Sequence, residues 1–184
     1  MFHRISVRLV CAGLLLASVA ATAGPSSQVF RVRDDCDPAT FNAAIGPNTC
    51  VNGFEGGTTF DEFLAELQED QEVGPWRFNP DDVRLDRGQP TRFESRGGEF
   101  HTFTRVDEFG GGVVPLLNDL VGETEVRPEC IQGAELAPPS QVNLYVPAGA
   151  ALPGPTAGTS DLPRGTTKWQ CCIHPWMRST VNVR

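Results

Sequence analysis

The sequence contains few of the side chains from which proteins build metal and proton-transfer sites. Among its 184 residues there are only three histidines and two methionines. Long apolar segments are also scarce: the N-terminal run from Leu9 to about Ala20 is shorter than the roughly 20 residues that cross a bilayer. The sequence therefore predicts no membrane span, and any metal centre in it must use few imidazoles.

Basic residues are outnumbered as well. Lysine and arginine together number 15 against 23 acidic residues, giving a formal net charge of −8. Without a basic stripe to bind phosphates, we expect no nucleic-acid partner. The glycine run at Phe109–Pro115 lacks a following Lys-Ser/Thr pair, so it indicates a turn and not a phosphate-binding loop.

The N-terminus has the layout of a secretory signal peptide. A basic start and an apolar run are followed by the small residues Ala21-Thr22-Ala23, which predicts a signal over residues 1–23. A signal of this kind indicates an exported protein, periplasmic or secreted. Its removal would leave two histidines and one methionine, which are His101, His174 and Met177.

Residues 24–75 are predicted to form an acidic accessory segment. From residue 24 to 82 there are 12 acidic residues against three arginines. Cys36 and Cys50 flank a stretch too rich in proline and glycine to be held by packing alone, which favours a local disulfide. A free or metal-binding pair is the alternative.

One helix is predicted in this segment, over residues 58–71. Thr59 can cap it, and its apolar residues recur at helical spacing, at Phe60, Phe63, Leu64 and Leu67. We expect this face to pack on the rest of the domain; binding a partner is the alternative.

Residues 76–184 have the pattern of an all-β domain. Short alternating segments, such as Trp76–Phe78, Thr91–Phe93 and Phe100–Phe103, are separated by turns rich in proline, glycine and asparagine. Such spacing is typical of a β-sandwich or barrel.

The chemically most informative stretch follows near the C-terminus. Cys171, His174 and Met177 place a thiol, an imidazole and a thioether at Cys-x-x-His-x-x-Met spacing on one short loop. Soft and borderline ligands of this kind suit copper far better than magnesium or calcium. A structural zinc site from Cys171, His174 and His101 is an alternative, but it gives Met177 no role.

This loop resembles the ligand loop of the cupredoxins, the blue copper proteins, in which an aromatic-x-Cys strand end runs into His-Pro-aromatic-Met. The resemblance covers roughly residues 76–184 and implies a Greek-key β-sandwich holding one copper ion. Its implied ligands are His101, Cys171, His174 and Met177. It also implies an exposed edge of His174 as the electron port, with Pro175 and Trp176 beside it. Thr102 stands where many members have an asparagine that braces the thiolate, so only a backbone N–H to sulfur bond could persist.

Two adjacent cysteines compete for the metal. The expected mature chain has five cysteines, and an odd count in an exported protein leaves one thiol free, intermolecular or metal-bound. Cys171 matches the spacing of amicyanin-like members, and strand alternation would then turn Cys172 to the opposite face, where it can pair with Cys130. A bridge between Cys171 and Cys172 is the strained alternative.

The resemblance implies a carrier of single electrons, not an enzyme. We expect a monomer that exchanges electrons with a redox protein, such as a c-type cytochrome or a periplasmic oxidoreductase, toward which the acidic segment could steer a basic surface. A copper-binding protein for delivery or storage is the alternative, and it would be colourless.

Overall fold

The structure is a computed structural model that describes residues 26–51, 57–132, 143–147, 151–153 and 164–184. The predicted signal peptide lies outside these ranges. The strands within them are β1 (Gln28–Arg33), β2 (Arg77–Asn79), β3 (Asp82–Leu85), β4 (Thr91–Arg96), β5 (His101–Val106), β6 (Asn143–Val146), β7 (Ala151–Pro153), β8 (Gly165–Gln170) and β9 (Arg178–Val183). The helices are α1 (Pro38–Ala44), α2 (Phe60–Asp70), α3 (Pro115–Leu120) and α4 (Pro128–Gln132).

The strands form two sheets. The first has the order β2-β1-β4-β7, and the second has the order β3-β9-β8-β5-β6. Most neighbours are antiparallel, whereas β1 with β4 and β3 with β9 are parallel. The predicted all-β class is confirmed.

Aromatic side chains join the two sheets. Phe30 and Phe93 stack on neighbouring strands of the first sheet with their centroids 4.9 Å apart, and both contact Phe103 of the second sheet, at 5.2 and 4.6 Å. Trp169 of β8 stacks on Phe103, with the ring centroids 4.7 Å apart. Because alternate residues of a strand face the same side, these rings place His101, two residues before Phe103, on the core face of β5.

The predicted helix is present as α2. Thr59 is its N-cap and forms a capping box with Glu62, and Phe63 and Leu67 are buried. The segment also contains a second helix, α1, where the sequence predicted only one. Asp37 caps α1 by accepting the N–H of Thr40 at 2.8 Å. Pro38 at the first helical position costs no hydrogen bond, because an N–H there would have no partner within the helix.

Strand β1 lies in the middle of the first sheet, between β2 and β4. It comes from the N-terminal side of the predicted domain boundary at residues 75 and 76, and that boundary stays a prediction. Both expected disulfides are formed, Cys36–Cys50 and Cys130–Cys172. Among the described residues, no helix is long and apolar enough to cross a membrane.

Candidate metal centre

The turn between β8 and β9 positions the C-terminal part of the centre. These strands pair up to Gln170 and Arg178, so Cys171 and Met177 stand at the two ends of the connecting turn. The N–H of Cys171 donates to the carbonyl of Met177 at 3.0 Å, and the N–H of Met177 donates to the carbonyl of His174 at 2.9 Å. The turn is thereby closed by its own backbone, with the cysteine and the histidine on it.

The third residue arrives from β5, the other neighbour of β8. Thr104 pairs with Gln170, so His101 at the start of β5 comes to lie beside Cys171. His101, Cys171 and His174 form a buried group whose nitrogen and sulfur ligand atoms all lie within 4.8 Å of one another. The structure thus brings together three of the four predicted ligands.

The distances between these atoms fit a single ion. The Sγ of Cys171 is 3.9 Å from Nδ1 of His101 and 3.8 Å from Nδ1 of His174. With metal–sulfur and metal–imidazole bonds of about 2.3 and about 2.0 Å, two ligands of one ion stand roughly 3.5 to 3.7 Å apart at tetrahedral or trigonal angles. The observed separations exceed this by only a few tenths of an ångström.

The cysteine on this site is the one predicted. Cys172 is paired with Cys130, and among the described cysteines Cys171 is the one outside a disulfide. Cys171 is fully buried. A strained bridge between the two adjacent cysteines is therefore excluded.

Met177 is buried in the same core cluster as Cys171. Its backbone N–H and carbonyl close the turn that carries Cys171 and His174. Ligation by its thioether stays a prediction.

Thr102 braces the site through its backbone and its side chain. Its N–H donates to Sγ of Cys171 at 3.5 Å, and its hydroxyl accepts the N–H of Cys172 at 2.8 Å. The hydroxyl therefore fixes the residue after the thiolate, and the backbone N–H is what contacts the sulfur itself.

Asp34, which no pattern in the sequence marked as part of the site, accepts a hydrogen bond from His101. Its Oδ2 lies 2.7 Å from Nε2 of His101, and both side chains are fully buried. Asp34 also accepts the N–H groups of Gly98 at 2.7 Å and Glu99 at 3.2 Å. The first imidazole is therefore held between a carboxylate and the thiol of Cys171.

Glu99 has the corresponding place next to the other imidazole. Its Oε2 lies 3.4 Å from Nε2 of His174 and accepts the indole N–H of Trp76 at 2.5 Å. It is buried, as is His174. In sequence, Glu99 was visible only as an acid two residues before a predicted ligand, which is a weak signal.

The edge of His174 is covered, which differs from the exposed electron port that the resemblance implied. His174 is 3% exposed. The half-buried ring of Trp176 packs edge-on against it at 5.4 Å, and Phe63 of α2 contacts Trp176 at 5.9 Å. The apolar face of α2 therefore packs on the domain, as expected. Through Trp176 it also covers part of the metal loop, which comprises residues 171–177. Pro175 is buried.

Electrostatics favour the ionised thiol. Burial by itself raises the pKa of Cys171, but hydrogen bonds from His101 and His174 outweigh it and hold the pKa well below its usual range. Burial likewise opposes protonation of the imidazoles, yet hydrogen bonds to Asp34 and Cys171 raise the pKa of His101 to about 10. Those to Cys171 and Glu99 raise the pKa of His174 to about 9. Since a metal binds the thiolate and neutral imidazoles, metal binding here must displace protons from nitrogen.

Comparison with known proteins gives structural similarities only. The chain matches no protein-family model and no curated protein. Similar solved structures include a purple cupredoxin from Nitrosopumilus maritimus, at 14% identity over 61% of this chain and 86% of that chain, with a TM-score of 0.38. A reduced Cu(I) form of an amicyanin mutant has 16% identity over 61% of this chain and 78% of its own, with a TM-score of 0.34. Plastocyanin from Dryopteris crassirhizoma has 16% identity over 61% and 93%, with a TM-score of 0.28.

Proposed function

We propose that the protein binds one copper ion through His101, Cys171 and His174, with Met177 as a weak fourth ligand, and carries single electrons between redox partners. The observation that carries this proposal is the convergence of two Nδ1 atoms on one thiolate sulfur, at 3.8 and 3.9 Å, in a buried site. Two imidazoles, a thiolate and a thioether form the ligand set of electron-transfer copper sites.

The residues around the ligands support a rigid site. A bound copper ion would supply a one-electron change between Cu(I) and Cu(II). The closed turn, the N–H of Thr102 on the sulfur and the carboxylates on both imidazoles keep the ligands in one arrangement for either state. Little rearrangement then accompanies the electron, which favours rapid transfer.

Burial of the ligands favours a carrier over an enzyme and over a protein for copper delivery. His101 and Cys171 are fully buried and His174 is nearly so. A substrate needs an open position at the metal, and ligand exchange with a copper acceptor needs accessible ligands. Neither fits side chains enclosed to this degree.

We further propose an exported protein that meets its redox partner in an oxidising compartment. Two disulfides in a chain of this size are typical of secreted and periplasmic proteins. The acidic accessory segment, residues 24–75, would favour a basic partner, such as a c-type cytochrome.

Copper loading of the purified protein tests the proposal. We expect an intense visible charge-transfer band from the thiolate to Cu(II), and its loss in Cys171→Ser. The matched control is the double variant Cys130→Ser/Cys172→Ser, which removes the neighbouring cysteine with its partner and should keep the band. A colourless copper complex of the native protein would contradict the carrier and favour storage or delivery.

A further inference from the structure

We propose that Asp34 and Glu99 are positioning residues of the metal centre, which hold the Nδ1 atoms of both imidazoles toward Cys171 and lower the reduction potential of an ion bound there. This inference rests on the proposed copper function. It adds that the potential is set by two buried carboxylates outside the ligand loop.

The orientation of the rings is the first step. Each imidazole has its Nδ1 toward the sulfur of Cys171 and its Nε2 toward a carboxylate, at 2.7 Å for Asp34 and 3.4 Å for Glu99. A carboxylate can only accept, so a proton on Nε2 is the arrangement that both contacts favour. The tautomer that leaves Nδ1 free for a metal is thereby selected at both histidines.

The second step is that Asp34 is itself fixed in place. It lies directly after β1 and accepts two backbone N–H groups from the turn between β4 and β5. That turn approaches so closely that a Cβ on Gly97 would stand 1.8 Å from Oδ2 of Asp34. The carboxylate is therefore held against the backbone of this turn, which donates two N–H groups to it.

Third, the two carboxylate residues are linked to each other. The N–H of Glu99 donates to Oδ2 of Asp34, while the side chain of Glu99 reaches His174. Trp76 then fixes the Glu99 carboxylate by donating its indole N–H to the oxygen that faces His174. Both carboxylates are therefore held by groups outside the ligand loop.

The consequence for the ion follows from charge. A carboxylate on the far nitrogen makes an imidazole a stronger donor, and a buried anion interacts more strongly with the more highly charged oxidised ion. Both effects favour Cu(II) over Cu(I). Replacing either carboxylate by an amide keeps an acceptor for Nε2 but removes the charge, so it should raise the potential.

Voltammetry of the copper-loaded full chain tests this. For Asp34→Asn and for Glu99→Gln we expect at least a tenfold fall in the preference for Cu(II) over Cu(I), which is a rise of about 59 mV for a one-electron couple. The control is Asp82→Asn, which removes an exposed carboxylate on β3 and should shift this preference by less than threefold. Equal shifts in all three variants, or no shift in the first two, would overturn the proposal.

A second measurement separates this proposal from the copper function. In the zinc-loaded protein, imidazole ¹H–¹⁵N spectra should show a slowly exchanging Nε2 proton on both His101 and His174. We expect Asp34→Ala, which removes the acceptor, to lose the His101 signal and to lower zinc affinity about 10- to 100-fold. Absence of both signals in the native protein overturns the positioning role whatever the colour with copper. If both Nε2 proton signals are present but the copper-loaded protein is colourless, the electron-carrier proposal is contradicted and the positioning role is still supported.

Discussion

The metal loop and the N-terminal segment contribute to one centre in opposite ways. Residues 171–177 supply two of the three converging ligand atoms from a single turn, and their spacing alone indicated chemistry. The N-terminal segment supplies none of these atoms. It supplies Asp34 on His101, and through Phe63 of α2 it covers Trp176 beside His174. Two of the three ligands are thus neighbours in sequence, whereas His101 and the residues that orient and shield the ligands come from distant parts of the chain.

The largest expected effect comes from Phe63→Ala, which tests whether α2 shields the metal loop from solvent or only stabilises the fold. Phe63 is buried and contacts both Trp76 and Trp176. Phe63→Ala should lower the free energy of unfolding by about 3–5 kcal/mol and speed the removal of copper by an external chelator, because it opens the cover of the loop.

Phe30→Ala is the matched control for this prediction. Phe30 is as deeply buried, but it packs between the sheets against Phe93 and Phe103. It should cost a similar free energy of unfolding in denaturant titrations without speeding copper removal. Equal chelation rates in the two variants would show that α2 is not a cover for the metal.

A smaller effect tests the close approach of the N-terminal segment to the turn before β5. Gly97→Ala places a Cβ against the carboxylate of Asp34, so it should destabilise the protein by about 1–3 kcal/mol and weaken metal binding by displacing that carboxylate from His101. Gly57→Ala is the control, since its Cβ would meet no atom within 4 Å. Unchanged metal affinity in Gly97→Ala, measured by competition with a chelator, would contradict the coupling.

The smallest effect concerns the start of α2. Thr59→Ala removes the side-chain cap that accepts the N–H of Glu62, and we expect a loss of about 1 kcal/mol in the free energy of unfolding. The visible band of the copper protein should not move, because the cap lies at the exposed end of the helix. A shifted band would mean that the ligands respond to small displacements of α2.

Much of the fold and of the site was accessible from the sequence. Helix α2 was predicted from its cap and apolar spacing, the β class from short alternating segments, and the free thiol of Cys171 from an odd cysteine count with strand alternation. Helix α1 was missed because Pro38 at its start and Gly46 and Pro47 just after its end resemble loop composition, although Asp37 before Pro38 is a capping signal. The helix and the strands were predictable because each pattern depends on neighbours a few residues apart, and the free thiol because cysteines can be counted without knowing the fold.

The chemistry of the loop follows from the order of its residues, because covalent spacing keeps Cys171, His174 and Met177 close in any fold that closes the turn. The residues that surround them are set by the packing of distant elements. Asp34 reaches His101 across 67 positions, and no local pattern encodes such a pairing. It arises because β1 inserts beside β4 and brings its end to the turn before β5. The burial of His174 has the same origin, since helix packing, and not loop sequence, decides which edge of a ring meets solvent.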